Sequence, residues 1–242
     1  RDLVRSRGLG DVYKRQTLSV DNTVANVAFT GNGSSVTNAF TPANDGTFVF
    51  GTSGGTQTYN GGLTTTSVGG TVTLNGEIET SNDAIVLGAV TLGSATTIDT
   101  DASDTTGDIT IGAVTGGSNS LTLSTGDNVA NTDITASGAI SGVTTLTLAD
   151  VGGTATLSDD VDVTTLSVDN TVANVAINGD GSSVTNSVSF ANDGTLQLGD
   201  ASGDTLTFNG GLTTTSVGST VTLNGTIASS NDAVVLGAVT LG

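Results

Sequence analysis

From Thr17 onward the chain is written in short runs with an apolar residue at every second position. Examples are Thr47-Phe48-Val49-Phe50, Thr71-Val72-Thr73-Leu74, Val90-Thr91-Leu92, Leu121-Thr122-Leu123, Leu146-Thr147-Leu148, Val221-Thr222-Leu223 and Val239-Thr240-Leu241. Alternation with period two marks a strand with one face in a core and the other turned outward. The runs are punctuated by turn formers such as Asn75-Gly76 and Asn60-Gly61-Gly62. Neighbouring runs lie 18 residues apart (Val72 to Val90) or 25 apart (Leu121 to Leu146). Short strands returning about every 20 residues predict an all-β parallel solenoid, one unit per coil. Residues 17–242 would hold about eleven coils, a rod of ~50 Å at ~4.8 Å per coil.

A longer period lies over this one. Residues 17–51 return as residues 165–199 with 25 of 35 identical, at an offset of 148. Residues 60–93 return as 209–242 with 29 of 34 identical, at an offset of 149. The later copy therefore carries one extra residue between these blocks, where Gly51-Thr52-Ser53-Gly54-Gly55 faces Gly199-Asp200-Ala201-Ser202-Gly203, and a loop is predicted there. The differences also report side-chain direction. Thr47-Phe48-Val49-Phe50 becomes Thr195-Leu196-Gln197-Leu198, so the outer positions stay apolar while the middle one turns polar. Phe48 and Phe50 should point inward and Val49 outward. The organisation read from this is one continuous solenoid over 17–242, with copies at 17–93 and 165–242 around linking coils at 94–164. The second copy stops at the match to Gly93, so a longer natural rod is expected.

Composition changes the picture at the amino terminus. All five Lys and Arg residues fall in the first sixteen positions, whereas 21 of the 23 acids lie beyond them, with no His anywhere. Asp11-Val12-Tyr13-Lys14-Arg15-Gln16 resembles the translation of a sequencing adaptor, and residues 1–16 are read as a non-native, disordered leader. The acidic body lacks the cations that phosphate binding requires, which argues against nucleic acid and against anionic membrane surfaces. No apolar run approaches the ~20 residues of a spanning helix, so no membrane insertion is expected in this segment. Aromatics are 3% and Cys, Met and Trp are absent. Small residues with abundant Gly suit a narrow core of short strands. The lack of Cys removes disulfides and thiolate metal sites and is compatible with export.

The run Gly55-Thr56-Gln57-Thr58-Tyr59-Asn60-Gly61-Gly62, followed by Leu63-Thr64-Thr65-Thr66 and by Thr71-Val72-Thr73-Leu74-Asn75-Gly76, resembles the β-strand repeats of filamentous-haemagglutinin-type bacterial surface adhesins. The resemblance extends over essentially all of residues 17–242. It implies a right-handed parallel β-helix, an extracellular or cell-surface location, and attachment to a glycan or surface protein by the full-length molecule.

Candidate chemistry is sparse. Asn131-Thr132-Asp133 with Asp159-Asp160 superficially resembles the paired carboxylates of pectin-cleaving β-helix enzymes, and glycosidases do need two such groups. That class also uses His and an Arg-x-Lys element, residue types missing from the body, so no enzyme is expected. Ser and Thr have no His or Lys to activate them. Asp99, Asp101, Asp104 and Asp108 form the densest acidic run and are the calcium candidates, since calcium takes hard oxygen ligands; otherwise no cofactor is expected. Paired threonines such as Thr64 and Thr66, Thr71 and Thr73, or Thr154 and Thr156 raise an ice-binding alternative. The loops at 31–35 and 179–183 raise a second one, a solenoid that binds glycan or protein through its own surface. Ends without a capping element predict self-association.

Overall fold

The computed structural model describes residues 14, 15, 17–102, 107–126 and 130–242. Among them there is no helix, and the strands pair in parallel into stacked sheets that form a β-solenoid of about 10 turns with ~21-residue spacing. The eleven coils expected from a 20-residue unit are thus about ten, because each coil carries three strands whose connecting corners differ in length.

Three faces can be followed along the stack by strand register. Face 1 climbs from Val27 through Phe48, Val72, Val90, Val114 and Ile140 to Val161. Face 2 climbs from Val36 to Tyr59, and farther up from Ile78 through Ile98 and Leu123 to Leu148. Face 3 climbs from Leu63 through Ile85, Ile109, Ile134, Ala155, Val175, Leu196 and Val221 to Val239. Apolar side chains of mixed size stack on one another through successive coils, so the core is a set of apolar columns. Lys14–Arg15, within the leader expected to be disordered, instead forms a two-residue strand on the lower edge of face 2, in register with Ser35 and Val36.

The alternation read from the sequence is realised strand by strand. Phe48 and Phe50 are fully buried and Val49 between them lies on the outer side, half-buried; Leu196, Gln197 and Leu198 repeat the arrangement. Between faces 1 and 2 the strand Val72–Glu79 turns a corner without ending, through a register shift between Leu74 and Gly76. Gly76 has φ of 69°, and a Cβ there would sit 2.3 Å from the Gly55 carbonyl oxygen, so the corner requires glycine on both counts. The extra residue of the second copy falls in a loop, as expected. There Asp204 folds the turn by accepting the Asp200 N–H at 2.7 Å and the Ala201 N–H at 2.9 Å.

The two copies fill their interiors differently. Where the first has Phe29, Phe40, Phe48, Phe50 and Tyr59, the second has Ile177, Val188, Leu196, Leu198 and Phe208. Phe190, standing where the first copy has Pro42, returns some of the lost volume and meets Phe208 edge-on at 6.4 Å. The aromatic set of the first copy is tied together by Phe48 stacked on Phe50 at 4.1 Å and Phe40 stacked on Tyr59 at 5.7 Å. Burying Tyr59 strands its hydroxyl, and burial pushes the phenol well above its ordinary pKa. The buried Gln57 supplies the partner: Tyr59 donates to its Oε1 at 3.0 Å, and its Nε2 donates to the Phe29 and Gly31 carbonyls. In the second copy the pair is Leu206 and Phe208, apolar at both positions.

The pair therefore acts as a unit. Gln57→Leu alone should cost ~1–3 kcal/mol, because it leaves the Tyr59 hydroxyl buried without an acceptor. Adding Tyr59→Phe should recover much of that loss by recreating the pair of the second copy. Urea unfolding of the two single variants and the double variant measures the coupling, and simple additivity would contradict this account.

Candidate functional site

Two of the acids singled out in the sequence, Asp108 and Asp133, bond main-chain amides of the neighbouring coil, and asparagines and another aspartate at other corners do the same. Just before face 3, Asp108 Oδ1 accepts the Asp133 N–H of the next coil at 2.8 Å, and Asp133 Oδ1 accepts the Thr154 N–H at 2.7 Å. Asn174 continues the column, accepting the Thr195 N–H at 2.9 Å. Asn26 does the same for Thr47 at 2.9 Å, before face 1. Elsewhere Asn32 accepts from Thr56 and Asp180 from Thr205. Short Asx side chains suit this work because their oxygen reaches a main-chain N–H from a turn. Each such bond links one coil to the next at the point where the sheet ladder has been interrupted by the corner.

Two buried asparagines do the complementary job for carbonyl groups. Asn44 Nδ2 donates to the Gly46 and Thr47 carbonyls at 2.9 and 3.0 Å, and Asn192 Nδ2 donates to Ala173 and Thr195 at 3.1 and 2.9 Å. Both are fully buried, and each keeps an Oδ1 without a partner. Their position in two equivalent corners makes them a feature of the repeat.

Of the four calcium candidates, Asp99 and Asp108 have described side chains, and these two stand on different faces. Asp99 lies on face 2, in register with Glu79 below and Ser124 above. Asp108 opens a face 3 strand and is engaged with the Asp133 amide. Asp104 lies outside the described residues, and so does the side chain of Asp101. Among the described residues no group of three or more His, Cys, Asp or Glu is arranged to hold a metal ion.

The paired-carboxylate candidates also separate. Asp133 stands at the entry to face 3, whereas Asp159 and Asp160 stand at the entry to face 1, and Asp159 Oδ1 accepts the Asp160 N–H at 2.8 Å. The threonine pairs fall into outward columns of mixed composition: Thr73, Thr91 and Thr115 are followed upward by Ser141, Asp162 and Ser183. The loop at 31–33 is exposed, while in its counterpart Gly179 and Ser182 are buried and only Asp180 and Gly181 between them are exposed.

Electrostatics follow from stacking acids without cations. Desolvation raises the Asp160 carboxyl above its ordinary pKa, and Asp159, Asp162 and Asp180 add to the shift. Asp204 moves the other way, lowered by the N–H groups of Ala201 and Asp200, and Asp21 is lowered by the hydroxyl and amide of Thr23. An acid whose folded pKa exceeds its unfolded value opposes folding wherever it is ionised, so stability rises as pH falls through the folded value. Asp160→Asn should therefore stabilise the protein by a few tenths of a kcal/mol near neutral pH. The gain should vanish below the unfolded carboxylate range, where both states are already protonated. Melting curves of the variant and the parent at pH 7 and pH 3 measure it, and equal gains at both pH values would remove the repulsion as the cause.

Comparison with protein-family models, with curated proteins and with solved structures finds no match to this chain.

Proposed function

We propose that residues 17–242 are a non-enzymatic stalk segment of a large bacterial surface adhesin, a rod that spaces a binding element away from the cell. The observation that carries this reading is the use made of the polar side chains. The turn carboxylates and amides that could have formed a site, Asp108, Asp133, Asn174, Asp180 and Asp204 among them, are committed to holding one coil on the next or to folding a turn. The long repeat then extends the same construction, as a spacer requires.

The filamentous-haemagglutinin-type resemblance supports the location at the cell surface and the attachment to a glycan or surface protein. The solenoid that binds through its own loops remains the alternative. An array of glycans and matrix proteins probed with residues 17–242 separates the two: specific submicromolar binding favours the module, and binding confined to the full-length molecule favours the stalk.

A stalk must lengthen by repetition. Appending a further copy of residues 94–242 after Gly242 should add about six and two-thirds coils, or ~32 Å, to the long dimension at constant width. Small-angle scattering measures both quantities, and thickening without elongation would contradict the stalk.

Among the described residues, most exposed large apolar side chains stand in the last coil, from Val234 to Leu241. Leu241 is 79% exposed and Val235 46%, whereas Leu92, the counterpart of Leu241 in the first copy, is 2% exposed under the coil above it. Such an unpaired face joins other ends. The isolated segment should self-associate with rising concentration, and Val235→Asp with Leu241→Asp should reduce this. Light scattering showing a concentration-independent monomer for the parent would contradict the end-to-end contact.

A further inference from the structure

The long repeat and the coil are out of phase. Val27 opens a face 1 strand, and six coils up the same face the register arrives at Val161. The counterpart of Val27 in the second copy is Val175, which lies two strands farther along the chain, on face 3. The repeat therefore spans six and two-thirds coils. The same shift holds throughout: Phe48 is on face 1 and its counterpart Leu196 on face 3, and Leu63 is on face 3 and its counterpart Leu212 on face 2, paired with Val188 and Val234. Each copy is turned by a third of a revolution relative to the one before.

The rotated copies nonetheless present the same surface. Leu63-Thr64-Thr65-Thr66-Ser67-Val68-Gly69 is identical to Leu212-Thr213-Thr214-Thr215-Ser216-Val217-Gly218. The two corners share their hydrogen bonds: Val68 and Val217 donate to the Thr65 and Thr214 carbonyls at 3.1 and 3.3 Å, and Gly69 and Gly218 donate to the Asn44 and Asn192 carbonyls at 2.8 Å each. Thr66 and Ser67 are exposed in one, Thr215 and Ser216 in the other. The first corner leads from face 3 to face 1, and the second from face 2 to face 3.

We propose that the long repeat is a display device that turns each repeated surface through a third of a revolution per copy, so that an array of copies presents it on all sides of the rod. This rests on the stalk reading for the existence of an array, and on the present chain for the rotation. Successive copies of the corner stand ~32 Å apart along the axis, and the fourth copy returns to the side of the first after about twenty coils, or ~96 Å.

The described residues contain no cysteine, and neither does the rest of the chain, so two labels can be placed without background. Ser67→Cys with Ser216→Cys, biotinylated and bound to monovalent streptavidin, should carry two densities in single-particle electron microscopy. Viewed down the rod they should be about a third of a turn apart, and in side view ~32 Å apart, with the single variants identifying each density. Two densities on the same side would overturn the rotation, and so would the failure of one label to bind in an otherwise intact rod. The outcome is independent of the elongation test: a rod that fails to lengthen with an added repeat removes the stalk, while the angle between labels in this chain decides the rotation.

Discussion

The structure depends on the hydrogen bonding of strands that never meet their sequence neighbours. In a parallel solenoid each strand pairs with the strand one coil below and one coil above, about 21 residues away in the chain. No coil can satisfy its own main chain, so stability is a property of the stack and falls to its weakest at the ends. The apolar columns add burial to the ladders, but they are narrow, built largely of Val, Leu and Ile. Where the first copy buries Phe48 and Phe50 the second buries Leu196 and Leu198, and it adds a buried Phe190 that meets Phe208, in line with cores that keep their total volume through such exchanges.

Corners are where such a stack would fail, since the ladder stops there and main-chain groups lose their partners. The chain answers with side chains that imitate strand pairing. Asp108, Asp133 and Asn174 accept amides across coils, and Asn44 and Asn192 donate to carbonyls from inside. The carboxylates among them carry charge as a by-product, because Asn performs the same bond in equivalent places. That charge has no cation beside it in the body, and it accumulates where corners crowd, as around Asp160. For Asp108, Asp133 and Asp180 the charge is thus a consequence of how the corners are closed, whereas Glu77, Glu79 and Asp162 stand within strands.

The strand positions and the facing of Phe48, Val49 and Phe50 were legible in the sequence because period-two alternation is a local code, and the long repeat exposed which positions must stay apolar. The roles of the acids were not legible. Asp133 finds its partner at Thr154, and Asp180 at Thr205, separations that carry no local signature until the coil length is known. Spacing along the chain placed Asp99 and Asp108 in one run, whereas the fold puts them on different faces. The coil count was overestimated for a related reason: strand length is written in the pattern, but corner length is not, and corners absorb the difference between 20 and 21 residues per turn.

Nor could the sequence alone show that the repeat rotates, and the reason bears on how such rods grow. The three faces use the same inward code, an apolar side chain at every second position, so a strand carries no mark of the face it belongs to. Val-Ala-Phe at Val27–Phe29 works on face 1 and Val-Ala-Ile at residues 175–177 works on face 3. A duplicated segment joins the stack whenever it contains whole strands, whether or not it contains whole coils. A repeat that ends a third of a turn out of phase therefore sets Phe48 of one copy on face 1 and its lighter counterpart Leu196 on face 3, and the stack accepts both because each face reads only the inward alternation.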